Sequence, residues 1–243
     1  MNQFNTHLLD LSNEILFIIL KKLGNVDVLY SLFGIKNQRI DALLEDDVFT
    51  NILNFITISS IIDAKLDRFC TYILPKKHNY IRKFILDAAY MERILRAGDY
   101  PNLTYLELFK FTQEIVLRNF TTFRHICQHQ ITDLMLHNND EYRLGKSMQI
   151  YNRNVYASIM DIFQSLKHLT ILASPLNEYP ILHLWNVPST TYFVSTLTKL
   201  CINVFLFNDC LTLLNGRLQQ LTIFKVNFQG LCKDISIYPN NVS

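Results

Sequence analysis

Two histidines four places apart, His125 and His129, come nearest to a metal site. Positions i and i+4 share one helix face, and zinc takes imidazole nitrogen. Ile126, Cys127 and Gln128 lie between them, so the general base of an H-E-x-x-H protease is missing. Cys127 falls on another face, and no third ligand stands nearby. The pattern therefore reads as a solvated helix face, with no metal and no cofactor. Other chemistry is served no better. There is no G-x-S-x-G turn and no P-loop. The six glycines (Gly24, Gly34, Gly98, Gly145, Gly216, Gly230) are scattered, so none builds a phosphate cradle. Pairs such as Asp133 with His137, or Asp140 beside Glu141, are what chance supplies. The five cysteines (Cys70, Cys127, Cys201, Cys210, Cys232) are odd in number and never form C-x-x-C. They read as reduced core thiols of a cytoplasmic or nuclear protein. No catalytic residue is expected.

The chain offers apolar surface instead. Its 243 residues are 49% hydrophobic and 18% charged, the composition of a core-forming globular protein. With 23 basic and 21 acidic residues the balance is +2, and Lys76-Lys77-His78 is too brief a basic run for nucleic acid. Ile15 to Leu20 is too short for a signal peptide, is bordered by Glu14 and follows no basic region. No other apolar run approaches the ~20 residues of a membrane span. The expectation is a soluble protein that stays inside the cell.

The elements begin with Leu8 to Asp47. Ser12 is placed to cap a short helix, with Glu14 in its first turn, Lys21 and Lys22 in its last, and Gly24 just beyond. The middle of this helix is apolar on every side, whereas a surface helix carries a stripe. Asn25 can cap a second helix, Val26 to Phe33, closed by Gly34. Asn37 can cap a third, with Ile40, Leu43 and Leu44 on one face. A bundle of about forty residues cannot cover the first helix all round. The missing cover must come from the rest of the chain or from another protein.

These residues resemble the F-box. The family's opening, Leu-Pro-x-Glu-Ile/Leu-Leu, is Leu11-Ser12-Asn13-Glu14-Ile15-Leu16 here. Ile19 to Leu23, Asp27, Asn37-Gln38-Arg39 and Leu43-Leu44 match its later landmarks in order. Ser12 stands where the family usually has proline, a departure that bears on adaptor affinity. The resemblance implies docking on a Skp-type adaptor, and through it on a cullin, by Leu11, Ser12, Glu14, Ile15, Ile19 and Leu23.

Further on, one frame recurs: apolar, two variable, apolar, one variable, apolar. It appears as Ile81-Phe84-Leu86, Leu103-Leu106-Leu108, Ile131-Leu134-Leu136, Leu166-Leu169-Ile171, Leu197-Leu200-Ile202 and Leu218-Leu221-Ile223. The starts lie 22, 28, 35, 31 and 21 residues apart. Helical spacing fills the intervals, at Ala89 to Ala97, Glu114 to Gln130, Val155 to Phe163 and Phe207 to Leu214. A short strand with a returning helix, repeated, resembles the strand half of the leucine-rich repeat, whose units stack because none buries its own apolar edge. The family's asparagine appears once, at Asn139, so irregular repeats are expected. On this resemblance the variable strand positions form a concave, target-binding face. They are Lys83, Ile85, Asp87; Tyr105, Glu107, Phe109; Asp133, Met135, His137; His168, Thr170, Leu172; Lys199, Cys201, Asn203; and Gln220, Thr222, Phe224. Tyr105, Glu107, Phe109, Met135, His137, Thr170, Asn203 and Phe224 are the residues expected to carry contact with an unknown target protein.

The expected fold is thus α/β (α+β). A three-helix F-box-like module spans 1–50, a connecting segment 51–79, and an irregular solenoid of short parallel strands and outer helices 80–243. Ile52 to Ile62 is expected to be helical and Phe69 to Leu74 a strand. Pro175 to Pro188 reads as a loop, and the array reads as short at its C-terminal end. The function expected is substrate recognition in a cullin–RING (SCF-type) ubiquitin ligase. The alternative is an interaction scaffold whose N-terminal helices only cap the solenoid. An enzyme would need a deep pocket of converging polar groups.

Overall fold

The computed structural model describes residues 8–56, 63–111, 113–138, 158–172, 196–204, 207, 210–211, 218 and 220–228, with the backbone alone for residues 113, 114, 116, 138, 203, 204, 227 and 228. Pro175 to Pro188, Asn139 and the tail from Gly230 lie outside these.

The fold is mixed α/β around a seven-stranded sheet. Its strands are β1 (Ile52–Asn54), β2 (Lys83–Asp87), β3 (Tyr105–Phe111), β4 (Asp133–Asn138), β5 (His168–Leu172), β6 (Lys199–Val204) and β7 (Ile223–Phe228), parallel throughout and laid down in chain order. Each strand pairs with the one before it, so every crossover returns the chain one position along the sheet. The apolar frames from Ile81 to Ile202 supply the reason. All fifteen of their residues point into one core, and none is more than 3% exposed. At about 2 kcal/mol for each fully buried Leu, Ile or Phe, this row is the main force holding the sheet against its helices.

A second device repeats at the strand entries. The carbonyls of Asn51, Arg82, Thr104, Thr132, Lys167 and Thr198 each accept two N–H groups from the next strand, at 2.8–3.1 Å. The hydroxyls of Thr104, Thr132, Thr198 and Thr222 reach the same carbonyls, at 3.5, 3.4, 3.2 and 3.0 Å. Threonine at the strand entry thus ties one unit to the next by side chain.

The frame Leu218-Leu221-Ile223 is corrected by the register. Lys199 lies opposite Ile223, Leu200 opposite Phe224 and Ile202 opposite Val226. The sixth frame is therefore Leu221-Phe224-Val226, three residues later. An odd shift exchanges the two faces of a strand, so Ile223 is 45% exposed while Phe224 packs on the core. The segment Ile52 to Ile62 is also corrected. Its start is strand β1, whose in-facing set is Thr50, Leu53 and Phe55, all at most 2% exposed.

Helix α1 is Asn13–Leu20, α2 Asn25–Leu32 and α3 Gln38–Leu43, followed by a 3₁₀ turn at Asp47–Phe49. Leu16, Leu20, Val28, Ile40, Leu44 and Phe49 form a small core of their own. Ser12 caps α1 and Asn37 caps α3. Asn25 does not cap α2. Gly24 holds the cap position, and the Asn25 amide donates to the carbonyls of Val48 and Ile52 at 2.7 and 2.9 Å. Two distant carbonyls hold the side chain that would otherwise have accepted from N–H groups of its own helix. Gly34, which closes α2, adopts φ +83 and has the Tyr72 hydroxyl against it, two reasons for a residue without Cβ.

Phe69 to Leu74 is helical rather than extended. Helix α4 (Asp63–Arg68) runs through a π turn, Phe69–Ile73, into α5 (Leu74–Lys77). Pro75 brings no N–H and crowds the carbonyl four residues back, and the wider turn just before it makes room. After β2 come a 3₁₀ turn, Ala88–Tyr90, and α6 (Met91–Leu95). After β3 come α7 (Gln113–Thr122) and α8 (Arg124–His129), split at Phe123. Residues 158–162 are helical before β5. His125 and His129 are exposed on α8.

Candidate functional site

Two surfaces stand out. The first belongs to α1. Leu16 and Leu20 are buried, while Ile15, Ile18 and Ile19, on the opposite side, are 49%, 58% and 37% exposed, and Leu23 beyond the helix is 52% exposed. An apolar run with two buried members leaves the rest bare. Leu8 and Leu9 lie exposed in the turn that precedes α1. Leu11 is half-buried, and Ser12 and Glu14 are exposed. The Ser12 hydroxyl accepts from the Ile15 N–H. Backbone N–H donation to the Glu14 carboxyl, followed by the Ser12 hydroxyl, holds that carboxyl below its ordinary range. Ile18 was not among the residues expected to carry contact. Its signal was available, since 15, 18 and 19 are the i, i+3, i+4 set of one face.

Arg39 fixes how this surface is presented. From α3 its guanidinium donates to the carbonyl of Leu9 at 2.7 Å, to the carbonyl of Leu11, and to the side-chain oxygen of Asn13. The start of α1 and the turn before it are thereby held by one side chain.

The second surface is the face of the sheet turned away from the core. Alternation along each strand puts Lys83, Ile85, Asp87, Tyr105, Glu107, Phe109, Asp133, Met135, His137, His168, Thr170, Leu172, Lys199 and Cys201 there. Of the expected contact residues, Tyr105, Glu107, Phe109, Met135, His137 and Thr170 share this face. Asn203 lies in β6, with its side chain outside the described residues. Phe224 is turned inward, and Ile223 and Lys225 take the outward places on β7.

Three adjacent strands build one polar network here. Glu107, 12% exposed, accepts from the Tyr105 hydroxyl at 3.0 Å and from His137 Nε2 at 2.9 Å, with Lys83 Nζ at 3.9 Å. An ionised carboxylate only accepts, so the His137 proton on that bond sits on Nε2. The bond from His137 is the main cause holding the Glu107 carboxyl below its ordinary value, against partial burial. Burial, reinforced by the charge of Glu107, pushes the Tyr105 phenol well above its ordinary value and keeps it a donor. Lys83 lies 3.6 Å from the Tyr105 ring centre. The Phe109 and His137 rings stack, 3.8 Å between centres and 8° between planes. One strand on, His168 Nδ1 donates to Asp133.

A bulge frames this cluster. Lys110 adopts φ 50, and the pairing of β3 with β4 skips it. The extra residue returns Phe111 to the core and leaves Phe109 on the outer face. Left-handed backbone in a residue with a Cβ costs about 1–2 kcal/mol. Lys110 itself turns back to Asp87, 3.0 Å away.

Among the described residues no three His, Cys, Asp or Glu gather as a metal site, and no helix is long and apolar enough to cross a membrane. Cys127 is buried in apolar surroundings, which push its thiol up to about 12 and keep it un-ionised. No family model, curated protein or solved structure matches the chain significantly.

Proposed function

We propose that the chain is a substrate-recognition subunit of a cullin–RING ubiquitin ligase of the SCF type. It would dock on a Skp-type adaptor through an F-box-like module and on a target protein through a leucine-rich-repeat-like sheet. One observation carries this reading: α1 has a buried side, a core of its own, and an outward face of three isoleucines that nothing in the described chain covers. Water tolerates single exposed apolar residues but rarely a contiguous set. The segment that aligns with the F-box opening is also the one that is capped and clamped: Ser12, in the place of the family's proline, caps α1, and Arg39 holds the Leu11 carbonyl and the Asn13 side chain. Seven in-order parallel strands, each tied to its neighbour, suit stacked repeats in which every unit needs the next.

In this role the chain carries no chemistry of its own. It supplies proximity and orientation in the cytoplasm or nucleus, and bond-making lies in other subunits.

A second reading has one observation in its favour. Val26 and Leu29 of α2 belong to the core under the sheet, so the N-terminal helices also close that core at its β1 end. A scaffold needs only this capping. Co-purification separates the two. The full chain, co-expressed with a Skp-type adaptor, should retain it through affinity capture. Ile15→Asp with Ile19→Asp should lose it without change in the circular dichroism of the whole chain. Retention by the double variant refutes docking through α1. A folded wild-type chain that captures no adaptor favours the scaffold.

A further inference from the structure

Among the described residues, the carboxylates on the sheet's outer face are all engaged, whereas two of its cations form no ion pair. Glu107 holds Lys83, Tyr105 and His137; Asp87 holds Lys110; Asp133 takes His168 and, at 2.7 Å, the Thr132 hydroxyl. Over β5 to β7 the outward positions His168, Thr170, Lys199, Cys201, Ile223 and Lys225 include no carboxylate. Lys199 and Lys225 form no ion pair among the described residues. They are close together: Lys199 lies between His168 and Ile223 in the pairing, and Lys225 is one strand over and two residues on, opposite Cys201.

An unpaired carboxylate on this face would repel an acidic ligand. Each one present is engaged by donors: Asp87 by Lys110, the residue that the β3 bulge inserts, Glu107 by Lys83, Tyr105 and His137, and Asp133 by His168 and Thr132. On the other side of β5 from Lys199 and Lys225, on β3 and β4, lies an apolar and aromatic platform, the stacked Phe109 and His137 with Tyr105 and Met135. From β3 to β7 there are four strand spacings, about 19 Å, which an extended segment of about six residues spans.

We infer that the outer face of the sheet takes an extended acidic segment of the target protein. An aromatic or aliphatic side chain of that segment rests on the Phe109–His137 pair, and its carboxylates lie against Lys199 and Lys225. This rests on reading that face as the target surface, and charge complementarity selects the occupant. A nucleic acid would also seek cations, but two lysines on a face that also carries Asp87, Glu107 and Asp133 make a poor phosphate track.

The test is fluorescence anisotropy on the full chain with three labelled probes. These are a decapeptide of Glu-Glu-Phe-Phe repeats, which shows both residue types on each side when extended, the same peptide with Lys at each Glu, and an oligo-uridylate of equal length. The Glu peptide should bind about tenfold tighter than the Lys peptide and weaken as salt rises. Lys199→Glu with Lys225→Glu should weaken it by about tenfold, the milder Lys→Gln pair by less, and Phe109→Ala should also weaken it. A thermal melt checks that each variant is folded. Equal or tighter binding of the Lys peptide or of the oligo-uridylate overturns the proposal. So does a double charge reversal without effect, or no saturable binding of the Glu peptide. Ile15→Asp with Ile19→Asp should leave peptide binding unchanged. A wild-type chain that captures no adaptor yet binds the Glu peptide would therefore strike the ligase reading and spare this one.

Discussion

Helix α1 should respond in opposite ways on its two faces. Leu16 and Leu20 are fully buried, so Leu16→Ala removes a packed side chain and leaves a cavity, at a cost of about 2–5 kcal/mol. In a chain of this length each kcal/mol is about 2–4 °C in Tm. Because Leu16 sits in the small core and not in the one under the sheet, the loss should show first as faster amide exchange in α1 to α3. Ile15, Ile18 and Ile19 already expose about half of their side chains, and truncating each to Ala should change stability of the free chain by no more than about 0.5 kcal/mol. Against a partner they count differently. Covering the exposed half of each would contribute about 1 kcal/mol, so the three together amount to about 3 kcal/mol, roughly a hundredfold in Kd. The assay pairs hydrogen exchange of the free chain with titration calorimetry against a Skp-type adaptor. If the triple isoleucine variant melts and exchanges like Leu16→Ala, the helix is not two-faced and docking through it is refuted.

Three further outcomes are expected. Gly34→Ala should cost more than about 1 kcal/mol by chemical denaturation, since φ +83 and the Tyr72 hydroxyl 2.5 Å from the new Cβ both oppose it; an unchanged midpoint would contradict the geometry. Lys77, 4% exposed, pairs at 2.7 Å with Glu45, which is 61% exposed. Glu45→Gln, which strands a buried ammonium, should therefore destabilise by about 1–3 kcal/mol, whereas Lys77→Met should be nearly neutral, and the reverse order would refute the pairing argument. The Glu107 carboxyl is held below its ordinary 4.5, chiefly by His137. Its contribution to stability should be fully present above about pH 4.5 and be lost as pH falls through the lowered folded value. Carbon-detected titration of Glu107 should find it raised toward 4.5 in His137→Ala; no movement would mean that the hydrogen bond is not the cause.

Local signals in the sequence were sufficient for much of the fold and failed where a partner far along the chain decides. Ser12, Asn37 and Gly34 do what their types suggest because caps and left-handed closures are settled within a turn. Asn25 was equally well placed to cap, but its amide is taken by Val48 and Ile52 across the bundle, and no local signal shows that. Five of the six apolar frames are in the core as spaced. The sixth slipped because Leu218, Leu221 and Ile223 satisfy the same spacing as Leu221, Phe224 and Val226. A second signal separates the two frames: the apolar–Thr pairs Leu103-Thr104, Ile131-Thr132, Leu197-Thr198 and Leu221-Thr222 mark strand entries, and only the later frame keeps it. Strand β1 was hidden by Thr50, a polar residue at the first in-facing position, buried to 1%. The outer face was legible as a set through alternation. The grip of Glu107 by donors from β2, β3 and β4 was not, because it depends on register between segments 22 and 28 residues apart.

Capping the sheet and presenting α1 are not competing roles for the N-terminal helices. A subunit that acts by proximity gains nothing from a docking surface that swings freely relative to the surface that holds the target. Helix α2 lies between the two cores, sending Val28 into the small one and Val26 and Leu29 into the large one. Polar ties reinforce it on both sides: Asn25 to Val48 and Ile52, Lys65 to Asp27 at 2.6 Å, Arg68 to the Phe33 carbonyl at 2.9 Å, and Lys77 to Glu45. Most of these side chains bridge to the helical stretch α4–α5, which itself packs Leu66, Phe69, Ile73 and Leu74 beneath the sheet. The burial that a scaffold would use only to close its core would, in a recognition subunit, also fix the angle between adaptor and target. The exposed isoleucines of α1 are then the feature that capping alone leaves without a reason, and they are where the two readings part.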